Sequence, residues 1–130
     1  MNGDTRLLDP VRDWDHAKGP AYARLVMAEY GDYECPDCGR LFDLLRGVQG
    51  ELGSRLRLVY RHYPMSRVNQ RAQMAPEAAG AQGQFWEMHD LLFQNQQALK
   101  REDLLGYVKR LGLDVDRVER ELKEETYAAR

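Results

Sequence analysis

The only two cysteines of this 130-residue chain stand at the end of the segment Leu25-Val26-Met27-Ala28-Glu29-Tyr30-Gly31-Asp32-Tyr33-Glu34-Cys35-Pro36-Asp37-Cys38. Residues 24–30 are largely apolar and predict a strand, and residues 31–34 predict a turn. Residues 36–49 predict a helix, with Pro36 in the first turn, where no amide donor is needed. The segment therefore places Cys35 at a helix N-cap and Cys38 one turn further along the helix.

The position of these two thiols predicts redox chemistry. Unpaired amides and the dipole at a helix start stabilise an anion, so we expect the Cys35 thiol to ionise more readily than a free thiol. An attacking thiolate beside a second thiol on the same turn is what thiol–disulfide exchange requires. We take Cys35, exposed at the helix tip, as the nucleophile. We take Cys38 as the resolving thiol, because it shares a predicted buried face with Leu41, Phe42, Leu45 and Val48.

Other interpretations of a lone Cys-x-x-Cys stay open from the residues alone. The pair can be structurally inert, or a metal or redox sensor can use the same dithiol. A structural zinc site needs two pairs of ligands, and the chain has neither a second cysteine pair nor a closely spaced histidine pair, since His16, His62 and His89 are scattered. We expect no metal and no organic cofactor.

Composition and charge exclude several other classes of function. The length suits one domain, and a net charge of −2 gives no electrostatic reason to bind nucleic acid or an acidic membrane surface. No apolar run approaches the roughly 20 residues of a membrane span. The first 20 residues contain no apolar core of a secretory signal. We therefore expect a cytoplasmic protein, in which a dithiol cycles rather than staying oxidised.

The rest of the chain predicts one more strand and then helices only. Residues 56–63 place Leu56, Leu58 and Tyr60 on one face of a strand that Pro64 ends. Two strands joined through a helix form a βαβ unit, so these strands should be parallel. Helical periodicity follows at residues 75–81, with Pro76 in the first turn, at 84–96, at 101–111, and after an N-cap at Asp114.

Several motifs together resemble the DsbA-like branch of the thioredoxin superfamily. They run in family order from about Asp15 to the C-terminus and comprise Asp15-His16-Ala17-Lys18-Gly19-Pro20, Glu29 to Gly39, Tyr60-Arg61-His62-Tyr63-Pro64, Gln82 to Leu92, and Leu111-Gly112-Leu113-Asp114. The resemblance implies an α/β fold, predominantly helical, with an incomplete thioredoxin-like sheet and a helical insertion. We expect an N-terminal arm at 1–20, a βαβ half bearing the cysteines at 21–65 and the helical insertion at 66–130.

The resemblance also implies an activity, that of a thiol–disulfide oxidoreductase acting on protein or small-thiol disulfides through Cys35 and Cys38. In this family a segment with a cis-proline loop and a further strand hairpin follows the helical insertion, and residues 1–130 contain no match to it. The apolar run 25–28, typical of a central strand, would then have an unpaired edge that invites another chain. We expect a homo-oligomer formed through this edge. The alternative function is a self-associating or binding module with little turnover.

Side chains close to the cysteines in sequence have two interpretations each. Glu34 and Asp37 bring negative charge that disfavours a thiolate and indicates a weak oxidant, although Asp37 also suits the first turn of a helix. We name Pro36, Asp37 and Glu34 as supporting residues. His62 lies near the redox face and can transfer protons, but a packed core histidine is the stronger interpretation. We expect His89 and Trp86 to be core residues as well.

Overall fold

The computed structural model describes residue 7, residues 9–65 and residues 70–128. In chain order, the elements are β1 (His16–Lys18), β2 (Leu25–Gly31), α1 (Pro36–Leu52), β3 (Leu56–His62), α2 (Gln70–Gly80), α3 (Phe85–Gln94), α4 (Arg101–Arg110) and α5 (Val115–Lys123). Residues 66–69, where the predicted helical insertion begins, and residues 129–130 lie outside the described residues. The described chain is thus an α/β fold with five α-helices and a small sheet.

Within the described residues, the sheet has three strands in the order β1-β3-β2. Strands β2 and β3 are parallel, with Leu25 opposite Leu56 and Gly31 opposite His62, as the predicted βαβ unit requires. The short strand β1 pairs antiparallel with β3 through His16 opposite Tyr60. Sequence reasoning did not predict β1, which falls within the segment expected to be an N-terminal arm.

Helix α1 begins where the sequence predicted and runs three residues longer. Cys35 is its N-cap, with extended backbone angles of φ −79° and ψ 121°, and Pro36 opens the first turn. Gly53 ends the helix with a positive φ of 52° and donates its amide to the Gln49 carbonyl. Phe42 and Leu45 are buried as predicted, whereas Leu41 is 38% exposed, so its assignment to the buried face was wrong.

The helices after β3 build one core together with the sheet and α1. Buried side chains of this core come from the redox loop, β3 and all the later helices, and include Tyr33, Phe42, Tyr60, Met88, Leu92, Val108 and Val118. Helix α2 begins at Gln70, so Pro76 lies inside it rather than in its first turn. The predicted N-cap at Asp114 is confirmed, because its carboxylate accepts the Arg117 amide at 3.1 Å. None of the helices in the described ranges has the length and apolar character needed to cross a membrane.

Strand β2 forms one edge of the sheet, and among the described residues it pairs with β3 alone. The predicted apolar run is therefore exposed rather than central: Leu25 is 52% exposed, Val26 38% and Met27 39%. Leu44 on α1 is also exposed, at 66%. We call these four exposed residues and the exposed Leu41 the β2-edge strip.

Candidate redox site

The two cysteines lie at the carboxyl end of β2, where the chain turns into α1. The Cys35 amide donates to the Asp32 carbonyl at 3.1 Å, and the Gly39 amide donates to the Cys35 carbonyl at 3.1 Å. The first of these bonds closes the turn, and the second starts the helix. Both thiols are free and both are partly buried, so Cys35 is less exposed than the sequence predicted.

Asp32 fastens this loop to the segment that follows β3. Its carboxylate accepts the Glu34 amide at 2.9 Å within the loop and the Met65 amide at 2.9 Å across the sheet end. The Tyr63 amide adds a bond to the Gly31 carbonyl at 2.8 Å. Hydrogen bonds therefore connect the loop that carries the cysteines to the segment that follows the neighbouring parallel strand.

Gln96, in the loop between α3 and α4, fastens the redox loop from the other side. Its side-chain amide donates to the Tyr33 carbonyl at 2.9 Å and to the Cys35 carbonyl at 2.8 Å. Sequence reasoning missed Gln96, because 61 residues separate it from Cys35 and nothing in the local pattern links them.

Burial and neighbouring charge hold Cys38 in the thiol form. Burial raises the pKa of Cys38, while the Asp32 backbone amide acts in the opposite direction. The proximity of Cys35 and the charge of Glu29 raise the pKa of Cys38 further. The side chain of Cys38 packs against the core, as the helical pattern predicted.

Glu29 is a buried carboxylate on β2, the strand that leads into the redox loop. It lies opposite Tyr60 in the β2–β3 register and is 7% exposed. Burial raises its pKa to about 7, and its Oε1 has no hydrogen-bond partner among the described groups. A gap of about 10 Å³ beside it, bordered by Lys18 and Asp90, has room for about one water molecule. Sequence reasoning gave Glu29 no role. The available signal was a carboxylate within an apolar strand.

The geometry and the comparisons with known proteins agree. A family model described as thioredoxin matches residues 13–130. The chain belongs to the thioredoxin family.

Solved structures of this family extend the match to DsbA-like proteins. A thioredoxin-like oxidoreductase from Silicibacter pomeroyi superposes with a TM-score of 0.74 at 25% identity, over 84% of this chain and 63% of that one. DsbA2 of Pseudomonas aeruginosa superposes with a TM-score of 0.65 at 27% identity, over 88% of this chain and 66% of that one. The predicted resemblance and fold class are therefore confirmed.

A longer protein contains a closer sequence relative of this thioredoxin-family chain. The Na(+)/H(+) antiporter NhaA 1 of Salinispora arenicola is 45% identical over 126 residues, which cover 95% of this chain and 19% of that protein. The chain thus spans about a fifth of the length of the curated relatives it matches.

The charged residues named from the sequence, Glu34 and Asp37, adjoin Cys35 and Cys38 in the chain. Asp37 is exposed and forms an ion pair with Arg40. Burial, followed by the charge of Asp32, raises the pKa of Glu34. Pro36 is exposed in the first turn of α1. The buried charge that acts on Cys38 comes instead from Glu29.

The side chains of His62 and His89 are buried, and that of His16 is partly buried. The His62 side chain is 4% exposed and its Nε2 lies 2.8 Å from Glu77, and His16 contacts the same carboxylate at 2.9 Å. His89 is 3% exposed, with its Nδ1 2.9 Å from the Tyr33 hydroxyl. These positions favour the packed-core interpretation of His62 and His89. Trp86 is only partly buried, against the edge of the core.

Proposed function

We propose that this chain is a thiol–disulfide oxidoreductase that exchanges its Cys35–Cys38 dithiol with disulfides of proteins or small thiols. The observation that carries the proposal is the asymmetry of the pair: Cys35 stands at the helix N-cap, whereas Cys38 lies against the core with a raised pKa. Cys35 is therefore placed to attack first, whereas Cys38 stays protonated until the second step. The oxidoreductase from S. pomeroyi, to which the chain is similar, supports the same class of reaction.

The proposed exchange runs in two balanced steps. The Cys35 thiolate attacks one sulfur of the substrate disulfide, forms a mixed disulfide, and releases the other sulfur as a thiolate. Cys38 then loses its proton and attacks the Cys35 sulfur, which releases the second substrate thiolate and leaves a Cys35–Cys38 disulfide. The substrate gains two electrons and the dithiol loses two. Oxidation of a substrate dithiol runs through the same steps in reverse.

We propose that Glu29 accepts the proton that Cys38 loses in the second step. A carboxylate with a pKa of about 7 can accept a proton at neutral pH and release it again, which a carboxylate with its ordinary value does poorly. Its charge acts on Cys38, and the gap beside it gives a bound water a place. Deprotonation of Cys38 in the second step is the point at which this group contributes.

Replacing Cys38 by serine tests the order of attack. We expect Cys38→Ser to accumulate a mixed disulfide with glutathione through Cys35, because the resolving thiol is gone, and Cys35→Ser to accumulate far less. Intact mass after acid quenching measures the adduct. Equal trapping by the two variants would contradict the assigned roles.

A redox titration of the unmodified chain in glutathione buffers is the companion measurement. We expect both thiols to oxidise together and reversibly at a potential between about −120 and −300 mV, read by alkylation and mass. Thiols that stay reduced, or that join only between chains, contradict the oxidoreductase proposal.

We also infer a second function, self-association through the β2-edge strip. Among the described residues, one edge of the seven-residue strand β2 has no neighbouring strand, and Leu25, Val26 and Met27 on β2 are exposed. The match to the similar S. pomeroyi structure covers 63% of that chain. A second copy related by a twofold axis pairs the two edges antiparallel and satisfies both at once.

Light scattering after size-exclusion chromatography tests this association. We expect a mass near twice the 15.1 kDa of one chain. Val26→Lys places a charge on the strand edge and should return the protein to one chain. Ala81→Lys, at an exposed site after α2, is the matched control and should leave the dimer intact. A monomer in all three samples rejects the interface.

A further inference from the structure

We propose that Gln96 is the positioning residue of the redox loop, and that its amide sets both the reactivity of Cys35 and the balance between dithiol and disulfide. This inference rests on the proposed exchange function. Gln96 touches no sulfur in the described contacts; it acts through the backbone that carries Cys35.

The hydrogen-bonding chemistry of glutamine fits the two acceptors that it meets. A primary amide has two N–H donors, and Nε2 of Gln96 meets two carbonyl oxygens, those of Tyr33 at 2.9 Å and Cys35 at 2.8 Å. These carbonyls flank Glu34, so one side chain spans the turn that leads into Cys35. The two N–H donors thus meet two carbonyls, and the carbonyl of Cys35 also accepts the Gly39 amide at 3.1 Å.

Gly39 provides the space that this arrangement needs. A Cβ built on Gly39 would lie 2.2 Å from Oε1 of Gln96 and 2.8 Å from its Cδ, which no real contact allows. Gly39 directly follows Cys38 in the helix. The glycine after the second cysteine and the glutamine of a distant loop therefore form one contact.

The loop that carries Gln96 is itself held in place. The Asn95 side chain donates to the Leu91 carbonyl at 2.8 Å, and the Ala98 amide donates to the Asn95 carbonyl at 2.9 Å. The Tyr107 hydroxyl bonds the Ala98 carbonyl at 2.8 Å. Gln96 thus links the redox loop to α3 and α4 through an ordered support.

The link favours the reduced form. The structure with both thiols free contains both Gln96 bonds, and they hold the Cys35 backbone where α1 begins. In this geometry Cys35 stays the N-cap of α1, at the end of the helix dipole that favours negative charge. Without the link, the loop gains alternative conformations and the thiolate loses that alignment. Cys35 then reacts more slowly, and the equilibrium moves toward the disulfide.

Two substitutions of Gln96 and one control test the proposal. In a Cys38→Ser background, where Cys35 is the sole thiol, Gln96→Ala should slow alkylation by iodoacetamide at pH 7 about tenfold. With both cysteines present, the same change should shift the glutathione equilibrium about tenfold toward the disulfide, which is about 30 mV more negative. Gln96→Glu keeps the shape but has no N–H to donate, and should act at least as strongly. Gln97→Ala, an exposed neighbour, should change neither readout.

Gly39→Ala gives an independent check through a double-mutant cycle. Alone, it should displace the Gln96 amide and reproduce the effects of Gln96→Ala. In the Gln96→Ala background it should add little, because the atom it clashes with is gone. Thermal unfolding followed by circular dichroism establishes that each variant is folded.

The outcomes separate this proposal from the proposed function. If Gln96→Ala behaves like Gln97→Ala in both assays, the positioning role is wrong. It is also wrong if the effects of Gly39→Ala and Gln96→Ala simply add in the double variant. If the unmodified chain never forms the Cys35–Cys38 disulfide, the exchange function fails. The alkylation rates then still decide whether Gln96 controls Cys35.

Discussion

Replacing Glu77 by alanine is expected to lower the free energy of unfolding at pH 7 by about 3 kcal/mol. Glu77 lies on α2 and is 6% exposed. Its carboxylate meets Nε2 of His16 on β1 and Nε2 of His62 on β3, at 2.9 and 2.8 Å. The substitution leaves a buried histidine nitrogen without its partner. It also removes the polar link between the sheet and the helices, which alanine's good helix propensity cannot offset.

The pH dependence of this effect follows from the pKa of Glu77. Burial works against ionisation, but hydrogen bonds and charge from His16 and His62 outweigh it and lower the pKa from 4.5 to about 2. A carboxylate with a depressed pKa stabilises the fold fully above its unfolded value and loses that contribution as the pH falls through its folded value. The difference between the parent chain and Glu77→Ala should therefore shrink between pH 4.5 and pH 2.

Urea denaturation followed by circular dichroism measures the effect. Glu87→Ala is the matched control, since Glu87 is an exposed glutamate on α3, and it should change the free energy of unfolding by less than about 0.5 kcal/mol. Equal stabilities of the two variants at pH 7 would show that the histidine–carboxylate link contributes nothing.

Local patterns predicted most of the fold. Strand β2, helix α1 and strand β3 begin and end within three residues of their predicted bounds, because apolar alternation, Pro36 and Gly53 act over short distances. Strand β1 is different. Its three residues carry no periodicity, and its place comes from contacts distant in sequence, such as the ion pair between Asp15 and Arg61 at 2.8 Å.

Helix α2 shows how burial overrides a local signal. Pro76 suggested a helix start, since proline lacks the amide that an interior position uses. The structure instead buries every residue from 72 to 79, so packing on several sides keeps the helix continuous through the proline. A single sequence contains no measure of that packing.

The same division applies to the candidate site. The placement of Cys35 and Cys38 was predictable because spacing along one helical turn is a local property. Glu34 and Asp37 were chosen for adjacency in sequence, yet Asp37 is exposed and paired with Arg40. Glu29 lies beside residues of α1 in the folded chain. Gln96 reaches the redox loop because two loops that are distant in sequence meet. Neither packing arrangement leaves a mark within a short window of sequence.

Glu29→Gln is expected to have the second large effect, and in the opposite direction: it should raise the free energy of unfolding at pH 8 by about 2 kcal/mol. Burial raises the pKa of Glu29 from 4.5 to about 7. The folded chain therefore holds a proton that the unfolded chain releases at lower pH. The resulting destabilisation of the folded state is absent below pH 4.5, grows as the pH rises, and is complete above pH 7. Glutamine has nearly the same shape and no charge to bury.

His89 makes this change easier to detect. Burial lowers its pKa from 6.5 to about 3, so its contribution to stability rises with pH between those values. In the parent chain, the falling contribution of Glu29 and the rising one of His89 offset each other between about pH 4.5 and 6.5. Glu29→Gln removes one of the two. Its free energy of unfolding should then rise with pH through that window, while the parent curve stays flatter.

Urea unfolding at intervals from pH 4 to pH 8 tests the assignment, with Glu51→Gln, an exposed glutamate of α1, as the control. A stability difference that does not vary with pH would mean that Glu29 is not the titrating group. The same variant should resolve the Cys35 mixed disulfide more slowly at pH 7, because Cys38 loses its proton acceptor. If Glu29→Gln makes the protein more stable but slows the attack of Cys38 on the mixed disulfide, the Glu29 carboxylate serves proton transfer rather than folding.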